Sequence, residues 1–245
     1  KQGKKVGIIA VDPTSPFTGG ALLGDRIRMT NLANDPEVFI RSMGTRGVLG
    51  GLSSAVHDVI EILDAAGKDI IIVETVGVGQ AEVDIVKVAD TTLVVLVPGL
   101  GDSIQTIKAG LMEIADIFIV NKGDLLGADQ TMAELESLLD VFTPSENTRQ
   151  PSLIRTSVKE NSGFEALLQE INDQYLFIQQ NNHLLKRRKI RYELVVVELI
   201  RKRLMGLIYD QERLSSTVDG IIADVVDLNL DPYSAADKIY STILK

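Results

Sequence analysis

Six short apolar runs punctuate the first part of the chain: Lys5–Val11 (KVGIIAV), Val38–Arg41, Asp69–Glu74 (DIIIVE), Thr91–Val97 (TTLVVLV), Asp116–Asn121 (DIFIVN) and Ser152–Ser157 (SLIRTS). They do not alternate with polar residues, as a strand with one wet face would. Continuous β-branched and aliphatic runs of this length predict parallel strands covered on both faces. Between them, apolar positions recur at helical spacing over Leu49–Ala66, Ser103–Ile114, Gln130–Val141 and Gly163–Ile178. Strand, helix, strand in repetition predicts an α/β domain, a doubly wound and mostly parallel sheet, over residues 1–180. From about Gln180 the pattern changes. His183–Tyr209 reads as one long helix with Leu194, Val197, Ile200 and Leu204 at helical spacing, and turn signals follow at Asp219-Gly220 and Asp231-Pro232. Residues 181–245 are therefore expected to form a C-terminal helical arm. Its stripe must be buried against the first domain or against another copy of itself.

Composition narrows the chemistry. The 245 residues include no cysteine, which excludes a disulfide framework, thiolate metal sites and thiol catalysis. With 25 Lys and Arg against 34 Asp and Glu, the net charge is −9, the wrong sign for a general nucleic-acid binder. No apolar run is long enough to span a membrane, and none is expected. The absence of cysteine suits a reducing compartment.

In open parallel sheets ligands gather outside the carboxyl ends of the strands, and the polar motifs lie there. Asn121-Lys122-Gly123-Asp124 follows the run DIFIVN directly. Guanine offers two adjacent donors, N1–H and the 2-amino group, and one carboxylate accepts both. A base without that fork would leave the carboxylate unpaired. Asp124 is the candidate reader, Lys122 the stem over the purine, and Asn121 the tie between loops. A polar turn leading into the next helix is the alternative. Ser157-Val158-Lys159 follows the sixth run in the same way. It reads as a loop over the base, although an ordinary helix-capping turn would account for it equally well.

Glu74-Thr75-Val76-Gly77-Val78-Gly79-Gln80 follows DIIIVE. An acid at the end of a buried strand, then glycines, is what a loop sensing Mg²⁺ and a γ-phosphate requires. Asp12 and Asp25 could be further acids near the same ion, or simply a turn residue and a helix cap. The phosphate cradle G-x-x-x-x-G-K-[ST] does not occur. Gly3-Lys4 and Gly67-Lys68 lack the following hydroxyl residue. Together with Lys1 at the start, this leads to the expectation that the chain begins after that loop, and that the sheet lacks its first strand.

VDPTSPFTGGALLGDRIRM, VETVGVGQAEVD and VNKGD, in this order, resemble the MeaB/ArgK family of P-loop GTPases, which includes the mutase chaperones of the methylmalonic aciduria type A kind. The resemblance runs over nearly the whole chain. It implies GTP and GDP as ligands with Mg²⁺, and Asp12, Asp25 and Glu74 near the metal. Glu74, Gly77 and Gln80 would belong to the catalytic switch loop, and Asn121, Lys122, Asp124 and Ser157–Lys159 would surround the base. It also implies a homodimer that serves an adenosylcobalamin-dependent acyl-CoA mutase of the methylmalonyl-CoA mutase type as a chaperone, gating cofactor loading and protecting the mutase. Arg26 and Ala81 stand where many members have Lys and Ser. Lacking a phosphate loop, residues 1–245 alone are expected to be inactive. Two other functions compete: a nucleotide-dependent kinase or ATPase linked to amino-acid transport, and a non-catalytic dimerisation module.

Three features carry less. His57 and His183 read as structural. The basic run Lys186–Arg191 reads as a solvated helix face. The glycine-rich stretch Gly44–Gly51 is either a close-approach turn or a mobile loop that meets a partner.

Overall fold

A computed structural model describes residues 3–12, 29, 32, 34–44, 54–75, 84–99, 112–143, 149–180, 182–209 and 212–243. Strands β1 (Val6–Asp12), β2 (Val38–Gly44) and β3 (Ile70–Thr75) form one parallel sheet in the order β2-β1-β3. Strands β4 (Leu93–Leu96), β5 (Ile117–Val120) and β6 (Ser152–Arg155) form a second, in the order β4-β5-β6. Helices α1 (Ser54–Ala65), α2 (Ala128–Val141) and α3 (Phe164–Gln180) are interleaved with the strands, as the alternating pattern requires. Three more follow: α4 (His183–Tyr209), α5 (Glu212–Val226) and α6 (Pro232–Ile243). The α/β class, the parallel pairing and the C-terminal helices agree with the sequence reading.

Each sheet has its own core. Ile9 and Val11 of β1 meet Val56 and Leu63 of α1, with Ile71 and Val73 of β3 packed beside them. A Cβ at Gly7 would lie 2.8 Å from the Leu63 side chain, so glycine lets α1 sit close on β1. In the second sheet Val94, Leu96, Phe118 and Val120 pack with Leu135 and Leu139 of α2.

Burial on both faces is realised in only some of the strands. β5, central in its sheet, is buried at all four positions. On β3 and β4, by contrast, Ile70, Ile72, Leu93 and Val95 are exposed. These two strands are edges, and among the described residues nothing pairs with their outer sides. Apolarity along a run reports that a strand is packed, but not on how many faces. One boundary also differs. β2 extends to Gly44, beyond the apolar run, because parallel pairing with β1 continues to Asp12↔Gly44. Of the helix expected over Ser103–Ile114, only the turn Met112–Ile114 lies within the described residues.

The chain divides into two compact units, Lys1–Arg191 and Tyr192–Lys245, and the division falls inside α4. The first turns of α4 explain this. Arg187 donates to both Asp116 carboxylate oxygens, at 3.1 and 2.8 Å, and to the Asp90 carbonyl at 2.6 Å. Arg188 pairs with Asp90 at 3.1 Å. Arg191 pairs with Asp90 at 2.9 Å and donates to the Val88 carbonyl. The expectation of a solvated face is thus corrected: three of these arginines fasten the start of α4 to the first unit. In the second unit α5 and α6 pack together, and Val218 and Ala235 are among the buried residues.

Candidate functional site

Strand register brings two of the motifs together. Val120, the last residue of β5, pairs with Leu96 on one side and Arg155 on the other. The segments that continue from β5 and β6 therefore leave the sheet side by side. The Asn121 amide donates to the Leu96 carbonyl at 2.9 Å, and the Gly123 amide to the Thr156 carbonyl at 2.8 Å. The Thr156 hydroxyl lies 3.3 Å from Asn121 Oδ1 and donates to it. Asn121 and the residue before Ser157 thus tie the two loops, the role expected of the asparagine.

Asp124 is the focus of the arrangement. Its Oδ1 accepts from the Ser157 hydroxyl at 2.6 Å, and its Oδ2 lies 3.5 Å from Lys159 Nζ. Ser157 is fully buried and its Oγ in turn accepts from the Glu160 amide at 3.2 Å. The donated Ser157 hydrogen bond holds the Asp124 carboxyl below its ordinary value, outweighing the desolvation that pushes it up. The backbone amide and Lys159 act in the same direction as Ser157. The carboxylate is ionised at neutral pH, as a two-acceptor reader must be. Lys122 holds a left-handed backbone, φ 56°, which lets the turn close with Leu125 donating to the Lys122 carbonyl at 2.9 Å. Val158 is exposed at the tip of its loop.

Glu74 lies at the carboxyl end of the other sheet. It pairs in register with Ala10, two positions before Asp12. Its Oε2 is buried and has no hydrogen-bond partner among the described residues. Ser42, which flanks Ala10 from β2, has a buried hydroxyl in the same condition. Buried oxygens of this kind are costly unless a ligand, ion or water completes them, so the donor set fits a hard cation at Glu74. Among the described residues no group of three or more His, Cys, Asp or Glu side chains is placed to hold a metal. Asp25, Gly77 and Gln80 lie outside the described residues, as does most of Gly44–Gly51; Asp12 is described as the last residue of β1.

Sequence reasoning missed Ser42, Thr156 and Arg155. Ser42 and Thr156 carry no signal of their own. Arg155 carried one, a lone charge inside the apolar run SLIRTS, and its guanidinium reaches back to the Gly123 carbonyl.

Residues 1–213 match the family described as methylmalonyl Co-A mutase-associated GTPase MeaB. The chain belongs to the MeaB/ArgK family of P-loop GTPases. A Pyrococcus horikoshii protein with a provisional GTPase name is 51% identical over 247 residues, covering 100% of this chain and 77% of that protein. A Caenorhabditis elegans protein named as a mitochondrial homolog of methylmalonic aciduria type A is 30% identical, covering 98% of this chain and 61% of its own. The crystal structure of a LAO/AO transport system kinase superposes with a TM-score of 0.68 at 23% identity, covering 99% of this chain and 73% of that one, which shows the fold. No helix among the described residues is long and apolar enough to cross a membrane.

Proposed function

We propose that the protein binds and hydrolyses GTP and serves as a chaperone for an adenosylcobalamin-dependent acyl-CoA mutase. The observation that carries the nucleotide part is the Asp124 carboxylate, held ionised by Ser157 and Lys159 beside Asn121. Its oxygens face a guanine N1–H and 2-amino group as acceptors, Lys122 covers the ring, and the Ser157–Lys159 loop closes over the base. An adenine nucleotide gains nothing from such a carboxylate, which disfavours an ATP-dependent kinase.

A magnesium ion would be held near Glu74, with Asp12 and Asp25 beside it, and would neutralise phosphate charge there. Gly77 and Gln80, next in the sequence, are assigned to sensing the γ-phosphate and to hydrolysis. The phosphate cradle G-x-x-x-x-G-K-[ST] that the family implies does not occur within residues 1–245. The open edges of β3 and β4, with Ile72 and Val95 exposed, would accept a parallel strand, and the Pyrococcus horikoshii relative is longer than this chain.

The mutase as partner rests on the family description, which names methylmalonyl Co-A mutase. A partner that distinguishes GTP and GDP states must alter nucleotide turnover in return. The test is the GTPase rate of the full-length protein against rising concentration of the mutase from the same genome. The rate is expected to rise and saturate. A flat curve would remove the chaperone role and leave the GTPase assignment untouched.

A further inference from the structure

We infer that Arg155 is a positioning residue for guanine selectivity: its guanidinium clamps the peptide between Gly123 and Asp124 and so aims the base-reading carboxylate. The inference rests on the guanine reading proposed above. Arg155 ends β6, and its backbone pairs with Val120. Its Nη2 donates to the Gly123 carbonyl, the acceptor one bond before the Asp124 amide. Its Nη1 pairs with Asp129, in the first turn of α2, at 2.5 Å. One planar fork thus grips both ends of the turn that carries Asp124, which a lysine could not do.

The fit is close. A Cβ at Gly123 would lie 2.6 Å from Arg155 Cγ, 2.7 Å from its Nε and 3.1 Å from the Thr156 carbonyl oxygen, so glycine at the variable position of N-K-x-D leaves room for the arginine to lie across it. The backbone of Arg155 is held as tightly. A Cβ at Gly163 would fall 2.0 Å from its carbonyl oxygen, and Gly163 has φ +82°. The Ser157 side of Asp124 is also built on β6, two residues past Arg155. Both anchors of the carboxylate therefore come from one strand end. Ser157 sets its outer atoms and Arg155 sets the backbone from which it springs.

The test compares GDP with IDP, which lacks the 2-amino group and so uses only part of the carboxylate fork. Dissociation constants are measured by titration calorimetry on the full-length protein and on Asp124→Asn, Arg155→Met, Gly123→Ala and the Gly123→Ala/Arg155→Met double variant. Wild type is expected to favour GDP, and Asp124→Asn to lose that preference. Arg155→Met is expected to lower the GDP-to-IDP preference about tenfold, the order expected for one misaligned hydrogen bond to a charged group. Gly123→Ala, which pushes the guanidinium away, should lower it similarly and add little on top of Arg155→Met. Equal losses for GDP and IDP in Arg155→Met would mean a general loosening of the loop and would overturn the proposal. An unchanged preference in Gly123→Ala would overturn it as well, and that variant decides the matter if Arg155→Met does not fold. A preference that survives in Asp124→Asn would remove the guanine reading itself, and this proposal with it.

Discussion

Asp124 makes recognition a matter of one carboxylate and its protonation. Replacing it with Asn exchanges one acceptor for a donor that faces the guanine donors. In the full-length protein Asp124→Asn should weaken GTP binding about 100-fold, while xanthine nucleotides, whose 2-oxo group can accept from the new amide, gain. Competition titration with GTP and XTP reads this directly, and an unchanged GTP affinity would sink the guanine assignment. The pH dependence has a definite sign. Because Ser157 lowers the Asp124 pKa, the carboxylate stays charged above its ordinary value of 3.8. Its contribution to stability is present there and is lost as pH falls through the lowered value. Binding curves between pH 8 and 6 should therefore show no titration from this group. Of the residues around it, Asn121, Asp124, Ser157 and Lys159 were legible in the sequence, because each follows directly from a strand end. Arg155 and Thr156 were not, because their partners Gly123 and Asn121 are 32 and 35 residues away.

At the scale of elements, the seam between α4 and the second sheet is held by charge. Asp116 immediately precedes β5 and accepts from Arg187, from Gln174 of α3 at 2.9 Å and from the Thr92 amide at 2.8 Å. Hydrogen bonding to Asp116 raises the Arg187 pKa against the burial that would lower it. Removing the carboxylate leaves three donors without their acceptor. Asp116→Ala should cost roughly 2–4 kcal/mol in urea denaturation, and Arg187→Met less, since Gln174 and Thr92 still satisfy Asp116. Equal and small effects would show that the network is peripheral. His57 on α1 probes the same neighbourhood. Burial lowers its pKa, the positive charge of Arg191 lowers it further, and Asp58 and Glu61 oppose both. The unfolded chain therefore takes up a proton on His57 before the folded one does. Stability is full above about pH 6.5 and declines as pH falls below it. His57→Gln should flatten melting temperature between pH 7 and 5. An unaltered slope would mean that another group is responsible. These seams also explain an error of reading. Lys186–Arg191 looks like a wet helix face because its acidic partners, Asp90 and Asp116, lie far back in the chain.

At the scale of the whole molecule, α4 carries an exposed apolar stripe. Leu194, Val197, Ile200 and Leu204 share the helical spacing noted in the sequence, and all four are exposed. The proposed occupant is the same stripe of a second copy, which makes residues 181–245 a dimerisation arm. Val197→Glu with Leu204→Glu should convert a dimer to a monomer in sedimentation velocity while far-ultraviolet circular dichroism stays unchanged. A wild-type monomer would remove the dimer, and a dimer that survives both substitutions would place the contact elsewhere. The sequence by itself determined the α/β class, the parallel strands, the long helix and the position of N-K-x-D at a strand end, since each depends on neighbours within a few residues along the chain. Hydrophobic periodicity and strand-end motifs are local signals of this kind. Tertiary structure decided what distant residues do to one another. It left β3 and β4 half exposed, turned a basic run into a clamp on Asp116 and Asp90, and laid Arg155 across Gly123. Those outcomes depend on which strands lie side by side, and register between segments far apart in the chain leaves no periodic trace in either segment.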